Sequence, residues 1–163
     1  MRVVCLISGD GSNLQALIDW QIKGLLGDAE IVGVVSNKAQ AFGLERAKRA
    51  NIATAVLSHE HHPDRCQFDR ALMSVIDDYE ADLIVLAGFM RILTAQFVNY
   101  YANRLVNIHP SLLPKYKGLN THRRAIEAGD SITGATVHWV TEELDSGGII
   151  RQMEVAIHAH DSE

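Results

Sequence analysis

Short apolar runs separated by helical stretches constrain this chain more than any other feature. The runs Val3–Ser8, Glu30–Ser36, Thr54–Leu57, Leu83–Ala87 and Arg104–Ile108 have the length and β-branched content of strands. Between them lie the helical patterns Asn13–Lys23, Gly43–Ala50, Pro63–Asp78 and Ala95–Ala102. Strands that alternate with helices fold as βαβ units, which makes the sheet mostly parallel. A short helix near His122–Ala128 follows, then two further runs, Gly134–Val140 and Ile149–Ile157. The turn signal Asp145-Ser146-Gly147-Gly148 between them predicts an antiparallel pair. The expected class is α/β. At 163 residues the chain suits one domain, 1–163. Residues 1–100 read as a mononucleotide-binding half-sheet, and 101–163 carry the candidate chemistry.

The composition, 47% apolar and 21% charged, is that of a soluble globular protein. A net charge of −5 argues against a general nucleic-acid binder, which carries a basic face. It leaves room for a local cationic pocket. The two cysteines, Cys5 and Cys66, form no disulfide framework, which points to a reducing compartment. Cys5 lies in an apolar run and reads as a small buried hydrophobe. The N-terminal apolar run is too short for a signal peptide, and no run is long enough to span a membrane. The expected location is the cytoplasm.

The chemistry concentrates near Asn107-Ile108-His109-Pro110 and the later acidic turn at Asp145. An amide, an imidazole and a carboxylate suffice for acyl transfer without a metal. The amide donates to a developing oxyanion, the imidazole moves protons, and the carboxylate orients the imidazole. In an extended segment Asn107 and His109 face the same side. The prolines that follow place both at a strand end, where α/β sites are built.

Ser8-Gly9-Asp10-Gly11-Ser12-Asn13 joins the first strand to the first helix. Glycines permit close approach of a ligand, and helix-start N–H groups favour phosphate. A dinucleotide fingerprint needs a third glycine where Leu14 stands, and an acid where Ser36 and Asn37 stand. A P-loop lysine is also missing. The alternative is a tight βα turn capped by Ser12 or Asn13. His59-Glu60-His61-His62 lacks a metal-ligand spacing and reads as a solvated loop. His158 and His160 read as exposed, and His138 as a satisfied sheet histidine. Lys115, Lys117, Arg123 and Arg124 are either a solvated surface or a group that steers a polyanion. Gly88-Phe89-Met90-Arg91-Ile92-Leu93 is either core or the wall of a pocket for a flat heterocycle.

The stretches Ile7–Gln15, Val35–Lys38, Leu86–Leu93, Asn107–Gly118 and Thr141–Gly147 together resemble the phosphoribosylglycinamide formyltransferase family of purine biosynthesis. They run in order along nearly the whole chain. The resemblance implies a Rossmann-like open, mostly parallel sheet with helices on both faces and an antiparallel C-terminal extension. It implies a catalytic group of Asn107, His109 and Asp145, and a ribonucleotide phosphate held by Gly11, Ser12 and Asn13. It assigns Arg65, Met90, Arg91, Ile92, Leu93, Asn107, Thr141 and Leu144 to the folate side. The cosubstrate would be 10-formyltetrahydrofolate, the acceptor glycinamide ribonucleotide, and no metal would be needed. The expected partners are these small molecules, with a homodimer as an allowed assembly and neither nucleic acid nor membrane. Family members continue into a further strand-and-helix segment that this chain lacks. Asn120 stands where the family often has His, and Asp10 where a neutral residue is commoner. The rival activities are formyltetrahydrofolate hydrolysis, which uses the same trio, and ligand binding without turnover.

Overall fold

The computed structural model describes residues 1–158 and 160–162. Among the described residues seven strands occur in chain order: β1 Arg2–Ile7, β2 Glu30–Ser36, β3 Thr54–Val56, β4 Leu83–Leu86, β5 Leu105–His109, β6 Ile132–Trp139 and β7 Ile149–Ala156. Among the same residues five α-helices, α1 Ser12–Ile22, α2 Phe42–Arg49, α3 Arg65–Asp77, α4 Ala95–Tyr100 and α5 Thr121–Glu127, and a short 3-10 turn at His59–His61 lie between them. The chain divides into two compact units, Met1–Leu105 and a second that begins at Val106. The hydrogen-bonded strand order is β3-β2-β1-β4 in the first unit and β5-β6-β7 in the second.

In the first unit β1 pairs in parallel with both β2 and β4, and β2 with β3. Strands buried on both faces need near-continuous apolar sequence. Val4, Cys5, Leu6 and Ile7 of β1 accordingly expose nothing to solvent. Burial of each large apolar side chain contributes roughly 1.5–3 kcal/mol. Burial also pushes the Cys5 thiol up to about 12, so it stays protonated and inert. The chain builds outward from β1 to β2 and β3, then returns to add β4 on the other side of β1. Right-handed crossovers in the two directions put helices on opposite faces. In agreement, α1 packs on α2 and β2, whereas α3 packs on α4.

This reversal of direction between β1 and β4 is a topological switch point, where α/β sheets open a crevice beyond the strand ends. Two loops leave the sheet there, one after Ile7 and one after Leu86. The Ser8 N–H donates to the Gly88 carbonyl (3.1 Å), and the Met90 N–H donates to Ser8 Oγ (2.8 Å). Ser8 Oγ in turn donates to Asn37 Oδ1 at 2.6 Å.

In the second unit β6 pairs antiparallel with both β5 and β7. The register sets Asn107 opposite His138 and His109 opposite Thr136. No helix among the described residues is long and apolar enough to cross a membrane.

Candidate active site

The second unit gathers Asn107, His109 and Asp145, with His138 as a fourth member. Asn107 and His109 stand two residues apart near the end of β5, on one face as alternation requires. His138 arrives from β6 through its pairing with Asn107. Asp145 comes from the loop between β6 and β7, with a left-handed φ of 48°. Aspartate tolerates that region better than most residues. Gly147 closes the loop: a β-carbon there would collide with the Trp139 carbonyl oxygen.

Hydrogen bonds fix most of the proton positions. A carbonyl oxygen only accepts, so His109 Nε2 donates to the Tyr116 carbonyl at 2.9 Å. Its Nδ1 faces Asp145 Oδ2 at 3.4 Å. By the same logic His138 Nδ1 donates to the Trp139 carbonyl (2.9 Å). Its Nε2 then accepts from Asn107 Nδ2 at 3.2 Å. Asp145 Oδ1 lies 3.5 Å from Asn107 Nδ2 and 3.6 Å from His138 Nε2. Asp145 Oδ2 accepts the Gly118 N–H at 2.9 Å. His109, His138 and Asp145 are buried, so the carboxylate sits among donors in a water-poor setting. An open cleft of ≈ 300 Å³, lined by Leu113, Pro114, Lys117, Ser146 and Ile149, reaches Asp145. Such a group can hold an imidazole in one orientation and present an amide donor beside it.

The first unit holds the other expected residues. Gly11, Ser12 and Asn13 form the start of α1. The cap differs from the expectation of Ser12 or Asn13: Gly11 itself occupies it, at φ 77°, with no side-chain capping bond. A glycine adopts this left-handed turn without a steric penalty, so neither polar neighbour is needed there. The first helix N–H groups have no partner within the helix. Met90 and Ile92 are exposed, at 64% and 61%, which favours a loop wall over core. Leu93 is half-buried. Arg91 is half-buried too, with its guanidinium 4.9 Å from the Phe68 ring centre and its Nε without a hydrogen-bond partner. Arg65 is exposed at the first position of α3. Thr141 and Leu144 are exposed in the second unit's β6–β7 loop.

Three expectations change. His138 is more than a satisfied sheet histidine, since it touches both Asn107 and Asp145. His59 and His62 are not simply solvated: they are half-buried, edge-on to Phe68 at 6.5 and 5.6 Å. The cations at 115–124 are not a free steering group. Lys115 pairs with Asp130, Lys117 with Glu143, and Arg123 with Glu127, while Arg124 donates to the Lys117 carbonyl. His158 and His160 are exposed as expected. No three His, Cys, Asp or Glu side chains converge as metal ligands among the described residues.

The formyl transferase family model matches residues 1–163. The chain belongs to the formyl transferase family. It is 55% identical over 167 residues to phosphoribosylglycinamide formyltransferase of Escherichia coli (strain K12), spanning 100% of this chain and 76% of that relative. It is 47% identical over 161 residues to trifunctional purine biosynthetic protein adenosine-3 of Homo sapiens, spanning 99% of this chain and 16% of that one. The solved phosphoribosylglycinamide formyltransferase of Coxiella burnetii superimposes with a TM-score of 0.93 at 51% identity, covering 99% of this chain and 75% of that one. This formyl transferase therefore shares both sequence and fold with phosphoribosylglycinamide formyltransferases over nearly its full length.

Proposed function

We propose that this formyl transferase moves the formyl group of 10-formyltetrahydrofolate to the primary amine of glycinamide ribonucleotide, with Asn107, His109 and Asp145 at the reacting centre. Formylation of that ribonucleotide in purine biosynthesis is the activity its relatives' names carry. The observation that supports the residue assignment is the buried amide–imidazole–carboxylate cluster, in which Asp145 faces His109 Nδ1 at 3.4 Å.

Both small molecules are substrates, and no protein nucleophile is needed. The amine nitrogen attacks the formyl carbon and the carbonyl oxygen becomes an oxyanion. The bond from that carbon to the folate nitrogen then breaks. The amine loses one proton and the folate nitrogen gains one, which yields the formylated ribonucleotide and tetrahydrofolate. Asn107 Nδ2 has two hydrogens. One is held by His138 Nε2, and the other meets Asp145 Oδ1 at only 3.5 Å. That loosely held hydrogen is the one free to turn to an oxyanion, a contribution of about 3 kcal/mol in such sites. Both nitrogens of His109 face acceptors, so a doubly protonated ring satisfies both contacts and brings positive charge to the oxyanion. Gly11, Ser12 and Asn13 would offer helix-start N–H groups to the ribonucleotide phosphate. Arg65, Met90, Arg91, Ile92, Leu93, Thr141 and Leu144 would contact the folate. The protein would act in the cytoplasm.

The test follows tetrahydrofolate release from 10-formyltetrahydrofolate with and without glycinamide ribonucleotide. Release that requires the ribonucleotide is the expected result. Equal release in both arms would replace transfer with hydrolysis, and none in either would refute the activity for this chain.

A further inference from the structure

The loop between β1 and α1 is held from behind by α2. The Gly43 N–H donates to the Gly9 carbonyl at 3.1 Å. Arg46 Nε donates to the Asp10 carbonyl at 2.8 Å, and its Nη2 donates to Asp10 Oδ2 at 2.9 Å. The remaining guanidinium nitrogen, Nη1, donates to Gln15 Oε1 on α1 at 3.2 Å. The Phe42 ring lies 4.8 Å from the guanidinium carbon and fixes its plane. A β-carbon on Gly11 would meet Gly43 Cα at 2.7 Å, so loop and helix touch backbone to backbone.

A trans peptide sets its N–H opposite to its C=O. Holding the Gly9 and Asp10 carbonyls against α2 therefore turns the N–H groups of Asp10 and Gly11 away from α2. The same guanidinium neutralises Asp10, the carboxylate that this chain carries in the loop. Arg46 thus fixes the orientation of an anion-binding backbone and cancels the charge that would oppose an anion.

We infer that Arg46 is the positioning residue of the ribonucleotide phosphate loop, acting through the Asp10 peptide and carboxylate. The inference rests on the reading of Gly11–Asn13 as that loop. Arg46 need not touch the substrate. Its effect falls on the binding of ribonucleotide and not on the folate donor.

The experiment measures kcat and both KM values for Arg46→Met, Arg46→Lys, Asp10→Asn, the double variant Arg46→Met/Asp10→Asn, and Ser12→Ala. Arg46→Met should raise KM for glycinamide ribonucleotide roughly tenfold, the scale of one charge-assisted hydrogen bond, with kcat within about twofold. Adding Asp10→Asn should recover part of that loss, because it removes the unpaired carboxylate. Arg46→Lys, which keeps the charge and loses the fork, should fall between. An Arg46→Met enzyme whose two KM values rise together, or one that Asp10→Asn does not rescue, would reduce Arg46 to a structural residue. Should Arg46→Met fail to fold, Arg46→Lys carries the same comparison between the two KM values. Ser12→Ala separates the two levels of the reading. A raised ribonucleotide KM there with none in the Arg46 variants overturns the role of Arg46 alone. Inorganic phosphate that fails to compete with the ribonucleotide on the parent enzyme overturns the phosphate loop itself.

Discussion

Asp145 is surrounded by the Gly118 N–H, His109 Nδ1, Asn107 Nδ2 and His138 Nε2, all within 3.6 Å. Asp145→Asn keeps the shape and removes the charge. Turnover is expected to fall by about 100-fold, within the usual reach of a group that assists proton transfer, while both KM values move far less. Steady-state kinetics checks this, and an unchanged kcat would take Asp145 out of the mechanism. On the proposed reading His138 would act one step further back, through its 3.2 Å bond to the Asn107 amide. His138→Leu fills the same buried volume but offers no acceptor, so the Asn107 amide loses its orientation. A loss of roughly tenfold in kcat is expected. In an Asn107→Ala background the same change should cost almost nothing more, because the two residues act as one unit. Full additivity in that cycle would uncouple them. The shared face of Asn107 and His109 was legible from strand alternation, and a carboxylate in the β6–β7 loop from the acidic turn at Asp145. His138 was not, because its partner is set by the register of β5 against β6, which local sequence does not encode.

At the scale of elements, strand and helix bounds follow the apolar periodicity to within a residue or two. The start of α1 differs in kind, since a left-handed Gly11 replaces a polar cap. The loop after β5 shows what periodicity cannot reach. Its cations look free in sequence, but their acids lie far along the chain: Lys115 pairs with Asp130, 15 residues away. Asp130 also accepts the Tyr116 hydroxyl at 2.8 Å, and the Tyr116 carbonyl is the group that holds His109. The Lys115 ammonium, then the Tyr116 hydroxyl, hold the Asp130 carboxyl below its ordinary 3.8. A depressed carboxylate contributes stability above its unfolded value, and that stability is lost as pH falls through the folded one. Asp130→Asn should therefore melt below the parent chain at neutral pH, and the gap should close as pH drops through and below 3.8. Thermal melts across that range test it. A gap that stays constant would assign the role of Asp130 to packing in place of charge.

At the scale of the whole chain, the parallel part of the sheet was legible because buried strands must be continuously apolar, as β1 is. β7 differs: Arg151, Gln152 and Glu154 interrupt its Ile149, Ile150, Met153 and Val155, and every residue of the strand is exposed. What fixes β7 is its ladder to β6, and the Ile157 N–H donates to the Ser131 carbonyl just beyond that ladder. The two strands approach closely: a β-carbon on Gly134 of β6 would collide with the Met153 carbonyl. Register and close approach, which periodicity does not carry, therefore decide where β7 lies. Gly134→Ala should lower the melting temperature by several degrees, because the backbone of one strand must shift to admit the methyl group. A thermal melt that matches the parent chain would mean that β7 moves aside without cost.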